Sequence, residues 1–146
     1  MRHPLVIVIT SLFILTTSTF LNEKTKELSW ELLETYHYQT GYFPKELKKQ
    51  MESPIEIAGF IVPLELDGYV DTVKTFLLVP DPFSCIHVPP PPPNQMILVT
   101  MKKPIPLNMD MRGVYIQGKL SFVSDENKKR TVGFQLKGES AREAEI

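Results

Sequence analysis

Apolar, β-branched and aromatic residues crowd five segments of the chain, at 55–62, 73–79, 96–101, 114–123 and 131–136, and polar or proline-rich stretches separate them. Ile55, Ile57 and Phe60-Ile61-Val62 lie in the first with Gly59 among them, and the long fourth carries Gly118 at its middle. A two-residue period predicts strands with one buried face, and a glycine inside such a pattern marks a bulge or bend. Reversal signals fall between the segments at Asp67-Gly68, Pro80-Asp81-Pro82 and Asp125-Glu126-Asn127, while Pro104-Ile105-Pro106 demands an exposed connection.

Ahead of the strands the period changes. Ser29 is placed to cap a short amphipathic helix over 30–38, where Trp30, Leu33 and His37 recur at three- and four-residue spacing. Gly41-Tyr42-Phe43-Pro44 ends or redirects it, and 44–51 has room for one more helical turn. Five strands with glycine bends and one N-terminal helix predict a mainly β fold: a small five-stranded antiparallel barrel of the oligonucleotide/oligosaccharide-binding (OB) type. It spans residues 28–138 as a single domain, and the acidic segment 139–146 is expected as a flexible tail. An open sheet or a sandwich is the alternative.

The first 18 residues follow neither pattern. Arg2 and His3 open the chain, residues 5–15 are apolar, and Thr16-Thr17-Ser18 offers small residues for cleavage, which is the layout of a signal peptide. The protein is therefore expected to be periplasmic or secreted. Membrane contact follows only if this segment stays uncleaved, and its apolar run is marginal against the roughly 20 residues of a span. The whole chain carries a formal charge of −1, which gives no basis for nucleic-acid binding. Lys102-Lys103 and Lys128-Lys129-Arg130 read as solvated turn charges. One cysteine excludes an internal disulfide.

That cysteine stands in the segment with the most chemical content. Ser84-Cys85-Ile86-His87-Val88 leads into five prolines, Pro89, Pro90, Pro91, Pro92 and Pro93, and then Asn94-Gln95. Proline fixes φ and lacks an N–H, so the run adopts an extended polyproline conformation and holds its neighbours in place. In extended backbone Cys85 and His87 face one side with Cα atoms about 6.6 Å apart, a spacing that lets both grip one ion. Thiolate and imidazole suit zinc, and thiolate suits Cu(I). Two ligands leave the sphere incomplete. His37, Asp81 or another carboxylate, a homodimer, or an envelope partner would have to complete it. His37, beside the apolar stripe of the helix, reads first as a packed or capping residue, and Met109 and Met111 read as packing.

Three other readings stand beside metal binding. Cys85 fits a buried core position as a small hydrophobe. The prolines with Asn94 and Gln95 fit an interaction loop read by an aromatic groove on a partner, or Asn94 and Gln95 serve carbonyls of a loop short of donors. A Cys85 nucleophile with His87 as base ranks last, because the base lies only two residues away and no orienting group is identifiable; no residue is assigned as catalytic.

Gly59-Phe60-Ile61-Val62-Pro63-Leu64, Phe76-Leu77-Leu78-Val79-Pro80 and the Cys-x-His-x-polyproline-Asn-Gln segment together resemble a bacterial family of exported proteins known only as a domain of unknown function. The resemblance covers about residues 28–138 and implies an envelope or periplasmic location. For some relatives it also implies a connection with ABC-transporter and metal-uptake systems, so a transporter partner is expected. Lipid anchoring, common in that family, is not carried over, because this chain has no cysteine near the cleavage site. The resulting expectation is an exported accessory protein for metal handling or transport, with zinc or copper at Cys85 and His87.

Overall fold

The computed structural model describes residues 24–64, 71–83, 91–107, 113–123 and 133–144. Strand β1 (Lys26–Glu27), helix α1 (Trp30–Glu34) and helix α2 (Lys45–Met51) precede the main strands. These are β2 (Ile55–Pro63), β3 (Thr72–Val79), β4 (Ile97–Pro106), β5 (Val114–Phe122) and β6 (Phe134–Glu143). Around the sheet they run β2-β3-β4-β6-β5, and β5 pairs back with β2 to close a five-stranded barrel. β1 adds to β2 in parallel. This is the OB-type barrel expected from the strand pattern, but it is mixed rather than purely antiparallel. Neighbours in the ring are antiparallel except β4 and β6, which pair in parallel from Ile97↔Phe134 to Met101↔Gly138. Directions cannot alternate around a ring with an odd number of members, so closing five strands forces at least one parallel pair.

β2 serves both sides of the closure. Ile55 to Gly59 pairs with β5, and Phe60 to Pro63 pairs with β3. The change of partner falls at Gly59, where an added Cβ would lie 2.8 Å from both Leu78 Cγ and the Val79 carbonyl oxygen. Gly118 does the same work in β5: the register shifts between Gln117 and Gly118, and a Cβ there would run into the Lys137 carbonyl. Inside the ring, Ile55, Ile57, Phe76, Leu78, Ile97, Val99, Val114, Ile116 and Phe134 are fully buried.

Two strands run further than their sequence pattern. β4 continues through Pro104-Ile105-Pro106, which the pattern assigned to an exposed connection, and carries Lys102 and Lys103, which it assigned to a turn. Proline is tolerated here because the β6 pairing stops at Met101, leaving only β3 beside this part of β4. β6 runs to Glu143, past the Gly138 boundary where the pattern placed the start of a flexible tail. Its end is fixed by Arg142, which donates to the Glu56 carboxylate through Nε (3.2 Å) and Nη2 (2.9 Å) and lies 3.8 Å over the Tyr115 ring. Gln117 Nε2 donates to the same carboxylate at 3.1 Å, so β2, β5 and β6 are tied together where the barrel closes. The Arg142 hydrogen bond holds the Glu56 carboxyl below its ordinary pKa.

The helices seal the other flank. Ser29 caps α1 by accepting from the Leu32 N–H at 3.3 Å, and Trp30 Nε1 donates to the Ala58 carbonyl of β2 at 2.6 Å. α1 ends at Glu34 rather than Tyr38. Thr35 Oγ1 returns to the Leu32 carbonyl, and the chain reverses at Gly41, φ +75°, into a bridge between His37 and Tyr42. The early stop lets Tyr36 turn inward onto Phe122, Phe134 and Phe43, with ring centroids 4.8, 5.7 and 5.3 Å away. This aromatic plug covers the end of the barrel where β5 finishes and β6 begins. Phe134→Ala is expected to cost about 3–5 kcal/mol, as for a large aromatic removed from a packed core. Urea denaturation measures it; a loss under about 1 kcal/mol would show that the plug is not closing the barrel.

Candidate functional site

Cys85, His87, Pro89 and Pro90 lie outside the described residues, as do Met109 and Met111. The exit of the proline run lies within them. Pro92 has φ −65° and ψ 156°, polyproline values, and Pro93 opens a short 3₁₀ turn, Pro93–Gln95, closed by the Gln95 N–H on the Pro92 carbonyl at 2.9 Å. Proline suits the first position of such a turn, where its missing N–H costs nothing. Pro91, Pro92 and Pro93 are half-buried, and Asn94 is 8% exposed.

Asn94 holds this turn against α1. Its Nδ2 donates to the Glu34 and Tyr36 carbonyls, both at 3.1 Å, and Gln95 Nε2 donates to Glu34 Oε1 at 2.8 Å. Carbonyls at a helix end have no partner within the helix, so Asn94 caps α1 from 60 residues away in sequence. The expectation that Asn94 and Gln95 satisfy carbonyls holds, but these belong to the helix end rather than to the proline loop. Asn94 Oδ1 is buried and accepts no hydrogen bond among the described residues.

The other candidate ligands are dispersed. His37 is exposed, stacked edge-on to Tyr42 with centroids 5.9 Å apart. It borders a small polar hollow of about 200 Å³ with Glu34, Thr40 and Asn94. Asp81 Oδ1 accepts from the Phe83 N–H at 2.9 Å, an Asx turn that occupies one carboxylate oxygen in shaping the reversal. Among the described residues no three His, Cys, Asp or Glu side chains gather as a metal cluster. Burial pushes the Tyr36 phenol above its ordinary pKa.

A second concavity was not expected from the sequence. On the outer face of the barrel a groove of about 610 Å³ crosses β3, β4, β6 and β5, rimmed by Lys74, Lys102, Lys119 and Lys137 around the half-buried Leu98. Its signal in the sequence is faint: outward positions of four strands carry a lysine, and only the ring order brings those strands together.

The clamp at the proline exit is measurable. Asn94→Ala leaves two helix-end carbonyls without their donor and is expected to cost about 1–3 kcal/mol in chemical denaturation. A change under about 0.5 kcal/mol, within the range of ordinary surface substitutions, would show that the turn is held by packing alone.

The comparisons with known proteins agree with this architecture. A crystal structure of a DUF3299 family protein from Pseudomonas aeruginosa PAO1 matches with a TM-score of 0.59 at 22% identity, covering 84% of this chain and 98% of that one, a likeness of fold. No curated protein matches. The family model described as a protein of unknown function, DUF3299, matches residues 17–143. The chain belongs to the DUF3299 family.

Proposed function

We propose that this protein is an exported, non-enzymatic accessory in metal handling, presenting Cys85 and His87 to zinc or a similar borderline-to-soft ion. The observation that carries this reading is the fixed end of the proline run. The only thiol of the chain and an imidazole precede five prolines, and the turn that the last of these opens is bound to the end of helix α1 through Asn94. A stiff segment with one fixed end limits where its other end travels, which lowers the ordering cost of binding an ion. Thiolate and imidazole are zinc ligands, but a closed structural site takes four. A second copy of the chain or an envelope protein, such as a transporter component, supplies the remainder. Export rests on the signal-like first 18 residues.

The half-burial of Pro91, Pro92 and Pro93 bears on the other reading, a proline ligand for a partner's aromatic groove. Such recognition needs exposed prolines, and these three are partly covered. That reading therefore falls to Pro89 and Pro90, and metal binding leads.

Zinc titration and elemental analysis of the protein beside Cys85→Ser and His87→Ala test the proposal. The parent is expected to bind zinc, and each variant is expected to lose at least about tenfold in affinity, since removing one of few protein ligands removes a large share of the binding free energy. Equal, near-zero metal in all three proteins would overturn it. Dimerisation that accompanies zinc binding and disappears in either variant would identify the second copy as the source of the missing ligands.

A further inference from the structure

The β4–β6 pair runs from Ile97↔Phe134 to Met101↔Gly138 and no further, although β4 continues to Pro106 and β6 to Glu143. Each strand gains residues there against its other neighbour: β4 between its pairs with Thr75 and Val73, and β6 between its pairs with Gly118 and Gln117. Such bulges bend a strand and end its pairing, so β4 and β6 part as a fork. A strand edge without a neighbour is a template for another strand.

The two edges of the fork differ. The Leu107 N–H donates to the Asp71 carbonyl at 3.0 Å, so alternate amides of β4 face β3, and those between, at Pro104 and Pro106, face the fork. Proline has no N–H, which leaves this edge short of donors and blunts it. On β6 the Ala144 N–H donates to the Gly113 carbonyl at 3.1 Å, which turns Arg142 toward β5 and turns Ala141 and Glu143 toward the fork. Ala141 and Glu143 keep both N–H and C=O, and these groups take no backbone partner among the described residues.

Charge selects the occupant. The groove that runs into the fork carries Lys74, Lys102, Lys119 and Lys137, all exposed, against Glu139, in a chain whose formal charge is −1. Lys119 and Lys137 are direct cross-strand partners, and like charges so placed repel unless an anion lies between them. Glu143 adds a second carboxylate on the edge, and the lysines still outnumber the two. A second copy of this edge fits poorly. Antiparallel pairing about Ala141 would set Glu139 opposite Glu143 across the two-fold, and pairing about Arg142 would set that arginine opposite itself. Among the described residues no aromatic side chain lines the groove, so bases lack a stacking platform.

We infer that the open edge of β6 at Ala141 and Glu143 takes an extended acidic peptide as an added strand, its carboxylates against Lys102 and Lys137 at the base of the fork. Main-chain hydrogen bonds then supply affinity and the lysines supply selectivity. Titration with a soluble peptide that alternates glutamate with threonine and valine, read by nuclear magnetic resonance and amide hydrogen exchange, is the test. Saturable binding is expected, with exchange at the Ala141 and Glu143 amides slowed about tenfold or more, and slowed more than at Arg142 and Ala144. Lys102→Gln/Lys137→Gln is expected to bind about fivefold more weakly and to melt at the parent's temperature, which separates lost binding from lost folding. The same peptide with lysine in place of glutamate is expected not to bind. Absence of binding, binding that leaves the Ala141 amide unprotected, unchanged affinity in the double variant, or equal binding of the lysine peptide would overturn the inference. Dimerisation of the parent that protects the same amides without peptide would overturn it in favour of a second copy.

Discussion

Five strands closed into a ring cannot alternate in direction, and the parallel contact between β4 and β6 is where this protein meets that constraint. Much of the molecule follows from it. β5 leaves β4 and comes to lie between β6 and β2, so the ends of β5 and β6 meet beside the start of β4. There Phe122 and Phe134 stack with Tyr36 and Phe43, and the 3₁₀ turn leading into β4 reaches α1 through Asn94. The same adjacency sets Lys137 of β6 beside Thr100 of β4 and opposite Lys119 of β5, assembling the outer groove from strands distant in sequence.

The sequence reveals the strands better than their neighbours. Alternation located all five barrel strands, and Gly59 and Gly118 were legible as bends because only a residue without Cβ tolerates the approach of Val79 and Lys137 there. The parallel pair was implicit in the count of five and a closed ring, although periodicity alone carries no direction. The ends of β4 and β6 were misplaced for a shared reason. Pro104 and Pro106 are strand breakers only where a second neighbour needs their N–H, and Glu139 to Glu143 look like a solvated tail until Arg142 finds Glu56, 86 residues away. Helix α1 was too long in the sequence reading because the inward turn of Tyr36 depends on aromatic partners contributed by β5 and β6.

The candidate site was legible as chemistry and only partly as geometry. Five prolines and a flanking Asn-Gln announce a fixed loop from composition alone, whereas the identity of the anchor, the open carbonyls of α1, depends on the fold. Asn94 shows the general point well: its short amide satisfies two groups that a shorter or apolar side chain would leave unpaired in a half-buried place. The proposed function divides the labour simply. The barrel and its plug give rigidity, the Asn94 clamp ties the end of the proline run to α1, and in the proposal Cys85 and His87 supply the donor atoms at its beginning.

X-ray absorption at the zinc edge of the zinc-loaded protein tests that division most directly, because it reads donor atoms rather than affinity. A first shell containing sulfur at about 2.3 Å together with nitrogen at about 2.0 Å is the predicted result. A shell of nitrogen and oxygen alone, with no sulfur, would contradict the account.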